Sequence, residues 1–310
     1  MAQNKKKLIV IAGPTAVGKT KYSIELAKKI NGEIISLDSM QVYKGLDIGT
    51  GKATKEEMQG IKHYMIDVVD PDKNLNIKEF KDMATKCIDE VFEKGKTPIL
   101  VGGTGFYIRA ILYDTDFLEE DEEEAENTRK ELYKLLDDKG IDYIYEELKK
   151  VDPESINRIP KGNEKRVIRA LEFYKLHRFP ISEHNDKELS KNAAYNYDFY
   201  VLTMDRDKLY DKIGKRVDKM VEDGLLSEVK SLVDKGLSKD FNSMKSIGYS
   251  ELYDFCKTHD DVNEKNFDEN TKKEFTEIIE NIKMHTRNYA KRQMTWFRSQ
   301  KNVQWITKNQ

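Results

Sequence analysis

The segment GPTAVGKT has residue types and spacing that suit phosphate binding, because Gly13, Gly18, Lys19 and Thr20 match the pattern Gly-x4-Gly-Lys-Thr. The apolar run LIVIA precedes this segment and an amphipathic stretch follows it, so the loop joins a predicted strand to a predicted helix. In that context the glycines let backbone N–H groups turn towards phosphate oxygens at the start of the helix. Lys19 adds a positive charge, and the Thr20 hydroxyl can ligate Mg²⁺. The pattern predicts a phosphate site with Mg²⁺, but it does not say whether the phosphate belongs to a nucleotide.

The segment EIISLDS is predicted to be a second strand, and Asp38 lies at its carboxyl end, where it should face the phosphate loop. Three roles are open for it: a Mg²⁺ ligand as in a kinase, a general base, or a structural turn residue. The polar run of Asp38, Ser39 and Gln41 is poor core material, which weakens the turn interpretation. P-loop nucleotide hydrolases usually hold Mg²⁺ with an acidic residue at the end of a later strand. Here the best later strand, PILVGGTG, ends in glycines and Thr104.

The glycines around Thr104, at positions 102, 103 and 105, form a second glycine-rich segment. Glycines at a strand end let the backbone approach a ligand closely. An ordinary turn after a strand explains them equally well, so both interpretations stay open.

Basic residues concentrate in two places in a chain whose net charge is only −2. One is the segment RIPKGNEKRVIRALEFYKLHR, and the other is the stretch 281–310, which contains no Asp or Glu. In the second stretch, arginine and lysine alternate with Tyr289 and Trp296, a mixture that suits phosphate contact and base stacking in RNA binding. A solvated helix face is the ordinary alternative for each charge run.

The elements around these residues alternate short apolar strands with amphipathic helices over the first ~115 residues, which predicts a parallel sheet. YMIDVVD is a candidate third strand, YDFYVLTM a later strand, and the last segment a short final strand. From the acidic run EEDEEEAEN the chain is helical and charged. We predict an α/β fold: a P-loop NTPase-like parallel sheet flanked by helices, with an inserted all-α subdomain. The core is predicted at residues 1–120 and 196–310, and the insertion at 121–195.

The 310 residues include two cysteines outside any CxxC pair and no apolar stretch of the ~20 residues that a membrane span needs. We therefore expect a cytoplasmic protein with no membrane partner. A monomer is a separate expectation, which these features do not decide.

Five motifs in this order resemble the tRNA dimethylallyltransferase (tRNA isopentenyltransferase) family: GPTAVGKT, LDSMQVYKGLDIGTGK, HYMIDVVDP, PILVGGTGFYIRA and YAKRQMTWFR. The resemblance runs from about Lys7 to Trp305, and it implies that the helical insertion at residues 121–195 binds tRNA. It implies transfer of the five-carbon group of dimethylallyl diphosphate to the N6 amine of the adenosine just 3′ of the anticodon. It also implies that the phosphate loop holds this diphosphate rather than ATP.

The same resemblance implies roles for individual residues. Asp38 matches the general base, Thr104 a site threonine, and Arg216 an arginine that contacts the diphosphate. Ser250 departs from the family, where a basic residue is common at this position. His63 and Asp67 lie in a family signature without a chemical role, and we expect packing or turn roles for them. The diphosphate loop comprises Gly13, Pro14, Thr15, Ala16, Val17, Gly18, Lys19 and Thr20. The residues expected to contact the tRNA anticodon arm are Asp38, Ser39, Met40, Gln41, Thr104, Arg129, Lys165, Arg166, Arg169, Lys245, Gly248, Tyr249, Arg287, Lys291, Arg292 and Gln293.

Two other classes of function compete with a prenyltransferase. An ATP-dependent small-molecule kinase would use the same loop, and it would need a closing lid with catalytic arginines but no basic patches outside the site. A nucleotide-gated RNA-binding protein would give Asp38 and Thr104 no reason to converge. Saturable binding of dimethylallyl diphosphate would count against both.

Overall fold

The computed structural model describes residues 6–259 and 262–308. Six strands form one parallel sheet in the order β3-β2-β4-β1-β5-β6. The strands are β1 (Lys7–Ala12), β2 (Gly32–Ser36), β3 (His63–Tyr64), β4 (Thr97–Gly102), β5 (Asn196–Thr203) and β6 (Gln304–Thr307).

Helices make up most of the remaining chain. They are α1 (Lys19–Ile30), α2 (Lys55–Met58), α3 (Ile77–Glu93), α4 (Gly105–Leu112), α5 (Glu122–Val151), α6 (Pro153–Arg158), α7 (Glu164–His177), α8 (Ile181–Ser190), α9 (Arg206–Glu222), α10 (Leu225–Asp234), α11 (Tyr249–Thr258) and α12 (Glu269–Arg298), with short 3-10 turns at Asn242–Lys245 and Glu264–Asn266. The described helices include none long and apolar enough to cross a membrane.

The sheet and its helices confirm the predicted α/β class with a P-loop-like core. β1 lies between β4 and β5, with Ile11 opposite Val101 on one side and Tyr200 on the other. Because all strands run parallel, the loops after β1, β2 and β4 leave the same edge of the sheet. Buried apolar side chains from β1, α1, β5 and α9 pack around Ile11 and hold this edge in place, among them Leu202 and Ile213.

Of the predicted third strand, YMIDVVD, only Tyr64 lies in a strand, since β3 comprises His63 and Tyr64. Met65 and Asp67 have positive φ angles of 62° and 55°, which a strand cannot accommodate. The chain nevertheless returns to sheet-like pairing once, at the isolated parallel bridge between Val69 and Tyr43. The final strand, predicted from the alternation around Trp305, is present as β6.

The structure divides into two compact units, one with the residues up to Leu112 and from Ala194 onward, the other with Tyr113–Ala193. We predicted these boundaries after residues 120 and 195. The first five and the last two residues of the predicted core lie outside the described residues. The acidic run lies inside the second unit because it starts α5: Asp121 accepts a hydrogen bond from the Glu124 backbone N–H (2.9 Å). Acidic residues in a first helical turn are favourable beside the helix dipole.

The second unit is all-helical, and an apolar core of α5 and α7 side chains, including Ile144, Leu148 and Val167, holds it together. A fully buried carboxylate, Asp152, fastens the start of α6 to the start of α8. It accepts hydrogen bonds from the backbone N–H and the hydroxyl of Ser155 (3.0 and 2.6 Å). It accepts the same pair from Ser182 (3.1 and 2.6 Å). Burial alone would raise the pKa of Asp152, but these four bonds outweigh it and hold the pKa below its ordinary value.

We predict that Asp152→Ala lowers the free energy of unfolding of this unit by about 3 kcal/mol at pH 7, because four buried donors lose their acceptor. A depressed pKa stabilises the fold fully above the unfolded value, 3.8, and this contribution is lost as the pH falls through the folded pKa. The gap between the wild type and the variant should therefore shrink below about pH 4. Hydrogen exchange of the α6 and α8 amides measures it.

The matched control is Glu154→Ala, which removes a neighbouring carboxylate that is solvent-exposed. It should change the free energy of unfolding by less than about 0.5 kcal/mol. Equal losses in the two variants would contradict the role given to Asp152.

Candidate active site

A cavity of about 520 Å³ opens at the sheet edge where the loops after β1 and β2 leave. Side chains from α9, α12 and the turn before α11 complete its wall. Many residues predicted to contact substrate line it together: Thr15, Asp38, Ser39, Met40, Arg216, Lys245, Gly248 and Arg292.

The phosphate loop has the backbone that its glycines predict. Gly13 and Gly18 have φ angles of 146° and 93°, and a Cβ at Gly13 would collide with the Leu202 carbonyl oxygen. The Lys19 ammonium donates hydrogen bonds to the carbonyl oxygens of Gly13 (3.0 Å) and Pro14 (2.8 Å). The side chain of Lys19 is therefore held against the backbone of the phosphate loop by two hydrogen bonds.

The charges in the cavity influence one another. Burial and, to a lesser extent, the positive charge of Arg216 lower the pKa of Lys19 to about 8, while the charge of Asp38 opposes both effects. Burial also lowers the pKa of Arg216, again against the influence of Asp38. Two cations thus face one carboxylate in a partly desolvated site, an arrangement that favours binding of a further anion.

The Asp38 side chain is oriented by a turn of its own loop. Its Oδ1 accepts a hydrogen bond from the Met40 backbone N–H (2.9 Å). Oδ2 accepts none from the part of the chain that the structure describes. One oxygen is therefore held in place, and the other is available to accept a proton from a bound ligand.

Thr104 and Tyr289 meet at the site, their hydroxyl oxygens 3.2 Å apart. Tyr289 lines the cavity, and the Arg292 guanidinium lies 5.8 Å from the centre of its ring. Burial and the nearby charge of Asp38 raise the pKa of Tyr289, so the phenol stays protonated. In the sequence this tyrosine stands among the basic residues of α12, a pattern that does not by itself assign it to the site.

Gln293, predicted to contact RNA, is buried and joins two loops of the site instead. Its Oε1 accepts a hydrogen bond from the Thr15 backbone N–H (3.0 Å), and its Nε2 donates one to the Gly103 carbonyl oxygen (3.0 Å). A Cβ at Gly103 would overlap this amide, and one at Gly105 would overlap the Trp296 ring. Gly103 and Gly105 therefore leave room for side chains of α12. This is a third explanation for the glycine-rich segment, beside close approach of a ligand and a simple turn.

Gln41 is likewise committed inside the protein. Its Oε1 accepts a hydrogen bond from the Ser36 hydroxyl (2.9 Å), and its Nε2 donates to the carbonyl oxygens of Thr50 (3.3 Å) and Gly51 (3.5 Å). It supports the wall that carries Arg216, whose Nη2 donates to the same Thr50 oxygen (3.4 Å).

The basic residues predicted to contact RNA fall into two groups. Arg129 and Arg169 are paired within the second unit: Arg129 with the buried Glu172 (2.7 Å), and Arg169 with Glu172 (3.4 Å) and Glu120 (2.8 Å). Exposed positions without an ion-pair partner among the described residues are Lys165, Arg166, Lys245, Lys291 and Arg292, and Arg287 is half-exposed.

His63 and Asp67, whose roles the sequence left open, contact their own surroundings. The His63 Nδ1 lies 2.9 Å from the Ile61 carbonyl oxygen. Asp67 pairs with the ammonium of Lys52 (2.5 Å), which also binds Asp47 (2.7 Å). Lys52, whose side chain is buried, lies in the motif DIGTGK, but the sequence did not indicate that it pairs with Asp47 and Asp67.

A parallel sheet with a phosphate loop after its central strand defines this chain as a P-loop-type α/β protein. The model of a family described as IPP transferase matches residues 41–300, and the chain belongs to this family. A curated relative from Acetivibrio thermocellus, named tRNA dimethylallyltransferase, is 46% identical over 303 residues, which cover 98% of this chain and 92% of the relative.

Two solved structures are similar over almost the whole chain. The full-length tRNA isopentenylpyrophosphate transferase from Bacillus halodurans has a TM-score of 0.67 and 43% identity, covering 98% of this chain and 90% of that one. A eukaryotic dimethylallyltransferase, described as acting on tRNA, has a TM-score of 0.73 and 28% identity, covering 97% of this chain and 74% of that one.

We predict that Gln293→Leu lowers the free energy of unfolding by about 2 kcal/mol, because the Thr15 amide and the Gly103 carbonyl lose their partner. Urea unfolding measures this loss. Lys291→Leu, on an exposed position of the same helix, should stay within about 0.5 kcal/mol of the wild type. Unchanged stability together with weaker RNA binding in Gln293→Leu would restore the RNA-contact role and refute the structural one.

Proposed function

We propose that the protein transfers the dimethylallyl group of dimethylallyl diphosphate to the N6 amine of the adenosine immediately 3′ of the anticodon in tRNA, releasing diphosphate. The observation that carries this proposal is one cavity in which a phosphate loop, a carboxylate with an available oxygen and basic residues of α12 come together. Relatives named tRNA dimethylallyltransferase, similar over nearly the whole chain, support the same reaction.

The donor diphosphate is bound by the phosphate loop, residues 13–20. Backbone amides at the start of α1, the ammonium of Lys19 and the guanidinium of Arg216 supply positive charge. As the bond between the allylic carbon and the diphosphate oxygen breaks, the electron pair leaves with the diphosphate. Groups already in place to receive that charge lower the barrier without reorganising.

The acceptor is a weak nucleophile, since the N6 lone pair is delocalised into the adenine ring. Asp38 accepts a proton from N6 through Oδ2 as the new carbon–nitrogen bond forms. A positioned base of this kind contributes about 10²–10⁴-fold in rate. Thr104 and Tyr289, whose hydroxyl oxygens lie 3.2 Å apart beside the cavity, help to orient the adenine.

Magnesium fits the site through Thr20, whose exposed hydroxyl lies in the first turn of α1. The described residues contain no cluster of three His, Cys, Asp or Glu side chains that could hold a metal ion. Mg²⁺ would therefore be held by Thr20, by diphosphate oxygens and by water, in keeping with its preference for retained waters. When bound it would neutralise part of the diphosphate charge.

The anticodon arm is held by exposed basic residues: Lys245 and Arg292 in the cavity wall, Lys291 elsewhere on α12, and Lys165 and Arg166 on the helical unit. Extruding the adenosine from its stack costs a few kcal/mol, which contacts to the phosphates offset. No comparison favours the kinase alternative, since the matched family is described as IPP transferase and the relatives are named tRNA dimethylallyltransferase. The proposal places the reaction in the cytoplasm with a monomeric enzyme.

The test is incubation with dimethylallyl diphosphate, Mg²⁺ and a synthetic anticodon stem-loop carrying A-A-A on the 3′ side of the anticodon, followed by mass spectrometry of the RNA. A gain of one five-carbon unit is expected. An unmodified RNA, together with tight ATP binding to the phosphate loop, would overturn the proposal in favour of a kinase.

We predict that Asp38→Asn reduces kcat by about 10²–10⁴-fold, because the amide oxygen can still bind the Met40 N–H but the side chain no longer accepts the N6 proton. Steady-state kinetics with the stem-loop measures the change. Asp72→Asn, which removes an exposed carboxylate, should leave kcat unchanged. A kcat for Asp38→Asn within about threefold of wild type would exclude Asp38 as the base.

A further inference from the structure

Glu228 on α10 has a carboxylate that accepts four hydrogen bonds beside the cavity. Its Oε2 accepts from the backbone N–H groups of Asp47 (2.9 Å) and Ile48 (2.8 Å). Its Oε1 accepts from the Gly49 N–H (3.1 Å) and from the Tyr249 hydroxyl (2.5 Å). Three consecutive amides on one side-chain anion form charge-assisted bonds, which are about twice as strong as neutral ones.

Tyr249 supports this carboxylate from within the protein. It is fully buried, and its ring lies where a Cβ at Gly49 would be. Burial and the charge of Glu228 raise the pKa of Tyr249 well above its ordinary value, so the hydroxyl remains a donor. The Tyr249 side chain thus faces Glu228 inside the protein, and its predicted contact with RNA stays a prediction.

Glu228 binds the first three amides of the segment Asp47–Gly51, and the last two residues of this segment contact Arg216 in the cavity. Arg216 donates from Nη2 to the Thr50 carbonyl oxygen (3.4 Å). Its guanidinium also occupies the space that a Cβ at Gly51 would take, and Gly51 has a φ angle of 60°. Where this segment lies thus determines where the guanidinium of Arg216 lies.

We propose that Glu228 is a positioning residue: together with Tyr249 it holds Asp47–Gly51 so that Arg216 meets the diphosphate of the donor. The inference rests on the proposed function for the identity of that donor. A displacement of about 1 Å in a charged group beside a reacting centre is costly, and a rigid supporting carboxylate prevents it.

The alternative is that Glu228 only stabilises the fold. The two roles differ in how the residue couples to Arg216. A positioning residue loses its effect on diphosphate binding once Arg216 is removed, whereas a residue that only stabilises the fold has the same effect in both backgrounds.

The experiment is a double-mutant cycle with Glu228→Gln and Arg216→Gln, read out by calorimetry of inorganic diphosphate with Mg²⁺ and by the KM for dimethylallyl diphosphate. Glu228→Gln should weaken diphosphate binding and raise this KM by about tenfold, leaving the KM for the stem-loop unchanged. In the Arg216→Gln background its effect should fall below about twofold.

Hydrogen exchange of the amides of residues 47–49 shows in parallel whether the segment has been released. Asp234→Asn, which removes an exposed carboxylate from the same helix, is the matched control and should change none of these values. Tyr249→Phe keeps the ring and removes one bond to Glu228, and should weaken diphosphate binding by about twofold to threefold. It serves as the test variant if Glu228→Gln does not fold.

Equal effects of Glu228→Gln in both backgrounds, or released amides without weaker diphosphate binding, would overturn the inference. Calorimetry and hydrogen exchange do not depend on transfer to RNA. If the wild type modified no RNA but the cycle behaved as expected, the proposed function would fail and the positioning role would stand. A wild type that modified RNA with an additive cycle would refute the positioning role alone.

Discussion

The parallel register of β1, β2 and β4 brings the start of three loops to one edge of the sheet, and the cavity is built from what leaves that edge. The phosphate loop, Asp38 and Thr104 each follow one of these strands. A loop alone would not hold such groups at fixed distances, because an unsupported backbone samples many conformations. The helices that pack across the edge supply the support, and α12 does so through the Gln293 amide, the Tyr289 hydroxyl and the Trp296 ring.

The electrostatics of the cavity follow from this packing. Lys19 and Arg216 are brought close enough to repel each other, and burial weakens the hydration of both. Asp38 compensates only part of this charge, so the site is poised for an anion that carries several negative charges. A diphosphate meets that requirement, and its departure in the reaction would be favoured by the same groups that bind it.

The basic residues divide into those whose charge is paired within the protein and those whose charge is available to bind a nucleic acid. Arg129 and Arg169 lie against the buried Glu172, where removing one partner would leave a charge without compensation. Exposed cations such as Lys165 and Lys291 have no such constraint and can follow a phosphate backbone. A protein with a net charge of −2 thus presents positive charge locally.

The sequence by itself determined the phosphate loop, the parallel α/β class, the helical insertion and the position of Asp38 after β2, because these depend on local patterns of glycine, apolar period and strand order. It did not determine the length of β3, which positive φ angles at Met65 and Asp67 cut short. Nor could it show that Gln293 and Tyr249 lie inside the protein, or that Glu228 holds residues 47–49. Those contacts join residues more than 150 positions apart in most cases. Only the tertiary structure decided them, since a polar side chain reads the same in sequence whether its partner is a buried amide, a distant carboxylate or a molecule of RNA.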